Sequence, residues 1–336
     1  SIRRQRQMCI RDSLDGTRDT KRASSWADCV VFLSDSAPRE DERSFLSELG
    51  MTPLTTVGVL SRADSFGPGA FGHHDPLEMA QHYAGRIAAQ LGGHVGTMVP
   101  LSGLLAESAL TGRITESVAR DLADLAHLDR EDLIDFVEAD DPGIVVHGFT
   151  SENRDYLLDV VGEYGLVYGR GVAAQQGAAG LLEWMRATSG IDYLTSVITQ
   201  TMPYFAMLQR AVRVVDVLDS LANAPETRDH VLWVQSILES QPAMRDVMLY
   251  RSFKNTVSDS PDSVLIPRLL AAIQGITPAQ KVGLEDTALP EEVTAALRRE
   301  LGDLRELAMT PLSAAEDDAR ERLIVAYQAA WNKIAS

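Results

Sequence analysis

Three short apolar runs stand out in the first hundred residues: Cys29-Val30-Val31-Phe32-Leu33, Thr55-Thr56-Val57-Gly58-Val59-Leu60 and Gly96-Thr97-Met98-Val99-Pro100-Leu101. They are short and rich in β-branched residues, which is the pattern of parallel strands buried on both faces. Helical patterns lie between them. Pro38 to Leu49 begins with proline at a first-turn position, is acidic early and ends before Gly50. Pro76 to Leu91 follows Asp75, a candidate N-cap, and ends at Gly92-Gly93. Strand, helix, strand, helix, strand predicts a doubly wound α/β domain.

After Leu101 the strand signal stops. Helical periodicity predicts segments at 104–126 and 129–139, a break at Asp140-Asp141-Pro142-Gly143, and further helices at 151–162, 164–176 and 178–188. From Ile191 to Leu221 the helical period continues, with Pro203 implying a kink or a first-turn restart. Later segments fit 227–239, 243–257, 263–273, 290–308 and 314–334. The fold class is therefore α/β followed by all-α. The composition changes near Ser189-Gly190, so an α/β domain is expected over 13–188 and a helical bundle over 189–336. Residues 1–12 are basic and aperiodic. They resemble a translated sequencing adapter and are set aside as an artefactual segment, the alternative being a genuine basic arm.

Charge narrows the function classes. The net charge is −17, so the long-range field repels nucleic acid and anionic lipid, and no nucleic-acid partner is expected. Two cysteines exclude a disulfide framework and a cysteine-only zinc site, and they suit a reducing cytoplasm. No apolar run reaches the ~18 residues of a spanning helix.

The candidate chemistry sits where the second and third runs end. The second run leads into Ser61-Arg62-Ala63-Asp64, and the third into Ser102-Gly103. Open α/β sheets bind ligands at the C-terminal ends of such strands. Guanine presents two N–H donors on one edge, and one carboxylate accepts both in a bidentate pair. Asp64 is the candidate for that role. Arg62, two positions earlier, can lie flat over the base, and backbone N–H groups at Ser102-Gly103 can reach guanine O6. The competing reading has Asp64 and Ser102 as caps of a turn and a helix. No metal-ligand set is expected. His73-His74-Asp75 reads as a polar loop, and Asp317-Asp318 as solvated or capping carboxylates.

VGVLSRAD at Val57–Asp64 and VPLSGLL at Val99–Leu105 resemble the isoniazid-inducible, Ini-type dynamin-like proteins of actinobacteria, nearest their IniC-like branch. The first tetrapeptide stands where that family's Asn/Thr-Lys-x-Asp guanine motif would be, with Ser61 for Asn or Thr and Arg62 for Lys. Gly103 stands for Ala in the Ser-Ala-type loop. The resemblance implies a P-loop-type GTPase domain followed by a helical bundle, with GTP or GDP held by Ser61, Arg62, Asp64, Ser102 and Gly103. It further implies self-association or pairing with a related dynamin-like protein, and a peripheral place at the inner face of the plasma membrane. Ser13-Leu14-Asp15-Gly16-Thr17 would follow the family's Asp-x-x-Gly switch. The P-loop and the Mg²⁺-holding Ser/Thr are expected upstream, because no Gly-x-x-x-x-Gly-Lys-Ser/Thr occurs here. The chain as it stands is therefore expected to lack catalytic residues and GTP hydrolysis. The rival reading is a non-catalytic helical interaction protein with a degenerate nucleotide fold.

Two further segments carry alternatives. Gly165 to Gly171 is glycine-rich without a Lys-Ser ending and reads as close helix packing. Leu249, Tyr250 and Phe253 lie among Arg245, Arg251 and Lys254. They read either as one apolar face inside the bundle or as a bundle tip that touches membrane lipid.

Overall fold

The computed structural model describes residues 27–48, 50–139 and 145–335. Residues 1–12, the Ser13–Thr17 segment and Asp140-Asp141 therefore lie outside the described residues. The protein is mostly helical, with a three-stranded sheet of order β1-β2-β3: β1 is Val30–Ser34, β2 Thr56–Ser61 and β3 Thr97–Leu101. Strand β2 runs parallel to β3, with Val57 opposite Thr97 and Ser61 opposite Leu101. Every residue of β2 except Ser61 is buried, which is why its sequence is continuously apolar instead of alternating. Helix α1 is Glu40–Glu48. Helix α2, Pro76–Gln90, joins β2 to β3 as the crossover of a βαβ unit, and its N-terminus is capped by Asp75, which accepts from Leu77 N at 2.8 Å.

Two compact units make up the chain. One comprises residues 31–43 and 56–202, the other the described residues within 1–30, 44–55 and 203–336. The change of composition at Ser189-Gly190 thus precedes the division between Met202 and Pro203.

In the sheet-bearing unit, the segment expected as one helix over 104–126 is two: α3, Gly103–Leu110, and α4, Glu116–Asp124. The break falls at Gly112, whose φ of 76° is left-handed. Helix α5 is Arg130–Glu138, α6 Ser151–Tyr164, α7 Arg170–Ser189 and α8 Ile191–Ser196. Between α6 and α7 a π-helical turn spans Gly165–Gly169. Close packing is the role of its glycines: a Cβ on Gly169 would lie 2.9 Å from the Trp184 ring, and one on Gly165 2.8 Å from Val161 Cβ. Leu105, Leu122, Leu133, Phe136, Leu157 and Leu181 form the centre of this unit's helical core.

The second unit is a helical bundle. Helix α9, Met202–Leu221, restarts after a π-helical turn at Val197–Thr201, with Pro203 in its first turn. There follow α10, Arg228–Ser240; α11, Met244–Asp259; α12, Ile266–Gln274; the single turn α13, Pro278–Lys281; α14, Pro290–Leu307; and α15, Ala314–Ala335. Leu249, Tyr250 and Phe253 are buried in this core beside Leu269, Leu297 and Leu323. The tip reading of these residues is thereby replaced by the core reading. The physical reason is polar as well as apolar. The Tyr250 hydroxyl lies 3.0 Å from Gln209 Oε1 and 3.2 Å from Thr52 Oγ1, partners that a solvent-facing tip would not need. Helix α9 also turns Met207, Val214 and Leu221, seven residues apart, outward, and α10 exposes Leu232, Trp233 and Ile237.

Candidate nucleotide-base site

Strand register brings the two predicted loops to one edge. Ser61 ends β2 opposite Leu101, which ends β3, and parallel strands lie about 4.8 Å apart. Arg62, with φ 58° and ψ 36°, is left-handed, and it turns the chain out of the sheet into the 3₁₀ turn Ala63–Ser65. That conformation costs a non-glycine residue about 1–2 kcal/mol. Two bonds hold it: the backbone N–H and the hydroxyl of Ser65 donate to the Arg62 carbonyl at 3.1 and 3.2 Å. Ala63 is fully buried and anchors the turn, leaving Arg62 exposed and Asp64 half-buried.

Each predicted residue has a distinct fate. Ser61 donates its hydroxyl to the Ser34 carbonyl at 3.2 Å, tying β2 to the end of β1. Ser102 is fully buried and caps α3, accepting from Leu105 N at 3.3 Å. The capping reading thus holds for Ser102. It does not hold for Asp64, whose side chain accepts no hydrogen bond among the described residues. Among the described residues, neither the Asp64 carboxylate nor the Arg62 guanidinium has a hydrogen-bond or ion-pair partner. Gly103 is exposed, and among the described residues the N–H groups of Gly103 and Leu104 in the first turn of α3 are not engaged. The edge therefore presents one carboxylate, one guanidinium and two amide donors. That set can pair with a planar heterocycle bearing adjacent N–H donors and a carbonyl.

Sequence reasoning missed the support behind this edge. Ser102 N donates to the carbonyl of Ser189 at 3.0 Å, so the end of α7 braces the α3 cap. Gly190 follows with φ 85°, and a Cβ there would lie less than 3.0 Å from the Pro100 carbonyl oxygen. Only glycine fits. The isolated pair Ser189-Gly190 carries no local signal that it touches β3. Asp75 serves elsewhere: besides capping α2 it accepts from the Tyr164 hydroxyl at 3.1 Å. Burial, followed by the Asp75 charge and hydrogen bond, pushes the Tyr164 phenol far above its ordinary value.

Comparison with curated sequences finds similarity to proteins of two strains of Mycobacterium tuberculosis. Over 296 residues, 29% are identical. The chain is similar to the isoniazid-induced protein IniC. The relatives are those of strains CDC 1551/Oshkosh and ATCC 25618/H37Rv, and the alignment takes in 80% of this chain and 57% of each IniC sequence. The chain thus spans little more than half the length of the IniC proteins it matches. No family model matches the chain, and no solved structure matches it. No helix among the described residues is long and apolar enough to cross a membrane.

Proposed function

We propose that the chain is the base-recognising and bundle-forming part of a guanine-nucleotide-binding, dynamin-like protein. In this reading the sheet-bearing unit is part of a P-loop-type GTPase domain. GTP hydrolysis in the longer protein is coupled to membrane remodelling or maintenance. The observation that carries the proposal is the pairing of an unengaged Asp64 carboxylate with the unengaged first-turn amides of α3 at one sheet edge. Asp64 accepts the two N–H donors of the guanine edge, Arg62 covers the base, and Gly103 N–H donates to O6. Similarity to IniC supports the same reading. The chain's own motifs hold the base and not the phosphates or Mg²⁺, since no phosphate-cradle motif occurs in it. Affinity from base contacts alone is weak. Exposed Met207, Val214 and Leu221 on α9 support self-association through the bundle, whereas the membrane partner rests on the family resemblance.

The test is Asp64→Asn, read by titrating GDP and xanthosine diphosphate. The amide replaces one acceptor with a donor, which suits the xanthine 2-oxo group. Loss of a charge-assisted bond worth about 1.5–3 kcal/mol corresponds to a shift of roughly 10- to 150-fold toward xanthine. An unchanged guanine preference would refute the role of Asp64.

A further inference from the structure

We propose that the groove between α14 and α15 binds a small organic anion with a flat apolar body, of the aryl phosphate class. The groove has a volume of about 280 Å³ and is lined by Arg298, Leu301 and Arg305 from α14 and by Gln328, Trp331 and Asn332 from α15. Its layout is that of an amphipathic ligand. Arg298 and Arg305 are seven residues apart on α14, or about 10 Å along the axis at 1.5 Å per residue. Buried Leu301 lies between them and makes the floor apolar. Trp331 supplies a planar wall, with the Arg298 guanidinium 5.5 Å from its ring centroid, a geometry that leaves room for a second flat group to stack. The Gln328 and Asn332 amides stand at the rim and can both donate and accept.

The charge of this groove is what singles it out. The chain carries a net charge of −17, yet these two arginines have no carboxylate partner among the described residues. The helix positions that would supply one, three and four residues away on either side, hold Thr294, Ala295, Leu301, Gly302, Ala308 and Met309. Two acids two residues from these arginines are engaged elsewhere: Glu300 and Asp303 bind Arg268 on α12 at 2.7 and 3.3 Å. Two guanidinium groups facing an aromatic groove, with every position three or four residues away uncharged, favour an anion from outside the chain.

The experiment titrates 1-naphthyl phosphate into the chain, with Trp331 fluorescence and calorimetry as readouts. Inorganic phosphate and 1-naphthol separate the charge from the ring, and vesicles containing phosphatidylglycerol test a lipid headgroup as the source of the phosphate. Saturable binding of 1-naphthyl phosphate is expected at millimolar concentration or below. It should weaken as salt rises and exceed that of either fragment. The double variant Arg298→Gln, Arg305→Gln should weaken it by about tenfold or more. Both side chains are exposed, so the variant keeps the fold, as its circular dichroism and melting point should show. Trp331→Leu should abolish the advantage over inorganic phosphate. No saturable binding, equal binding by the double variant, or retention on vesicles without binding of 1-naphthyl phosphate would each overturn the proposal.

Discussion

Replacing Gly190 with alanine isolates the brace behind the base site. Two costs combine at this position. Alanine at φ 85° has a left-handed backbone, which costs about 1–2 kcal/mol. Its Cβ would also lie within 3.0 Å of the Pro100 carbonyl oxygen. A backbone atom cannot rotate away as a side chain can, so β3 or the end of α7 must move, at a typical cost of about 1–3 kcal/mol. If that movement breaks the bond from Ser102 N to Ser189 O, about 1 kcal/mol more is lost. The expected total is about 3–6 kcal/mol. Two controls separate the terms. Gly112 has φ 76° with open space around its missing Cβ, so Gly112→Ala should cost about 1–2 kcal/mol, the backbone term alone. Gly103 is at the first position of α3, again in open space, and Gly103→Ala should fall within about 0.5 kcal/mol of the parent. Hydrogen exchange of peptides from β3 and α7, followed through urea, measures all three in the relevant unit. Gly190→Ala no more costly than Gly112→Ala would refute the clash and with it the brace.

Tyr250→Phe should destabilise the bundle by about 1–3 kcal/mol in urea, because buried Gln209 loses its donor; an unchanged midpoint would contradict the buried network. The Cys29 thiol is pushed up from 9.0 to about 11 by burial first and the Asp28 charge second, so in a Cys9→Ser background iodoacetamide should modify it about a hundredfold more slowly at neutral pH than an ordinary thiol. The sign of the linkage is that the neutral thiol's stabilisation is complete below the unfolded value and declines as pH rises from 9.0 to about 11; reaction at the rate of a model peptide would contradict its burial. With Mg²⁺ and GTP, the purified chain should show no turnover above buffer, since it holds no P-loop motif; steady phosphate release would show that another element performs that role.

Local signals were the legible ones. β2 could be read because a parallel strand buried on both faces stays apolar throughout; β3 is buried only at Met98 and Val99, and β1 departs from the expectation by exposing Val31 and Leu33. The breaks expected near 163 and 177 correspond to kinks inside α6 and α7, at Gly162 and Gly177, whose φ are 66° and 65°. The division of 104–126 was missed because Leu110 and Ile114 carry apolar character across Gly112, and the α13 turn because four residues hold no period. At the candidate site, Asp64 and Arg62 were legible as a strand-end tetrapeptide. The spending of Ser61 and Ser102 on internal bonds was not, since their partners Ser34 and Ser189 are distant in sequence. Tyr250 shows the same limit: an aromatic among arginines reads two ways until Thr52, 198 residues away, is found bonded to it. The Arg298 and Trp331 contact is likewise set by the pairing of two helices.

The bundle unit is discontinuous, and this matters on the ribosome. Its early portion, with Thr52, Thr55 and Leu54 buried against later helices, is made before the segment beginning at Pro203. The sheet-bearing unit, residues 31–43 and 56–202, is interleaved with that portion and has all its residues once Met202 is translated. At about 5–20 residues per second, the remaining stretch of roughly 130 residues takes about 7–26 s to emerge. Throughout that interval Leu54 and its neighbours have no bundle to enter, so the order of synthesis gives the sheet-bearing unit a head start and leaves the bundle dependent on helices made after Pro203.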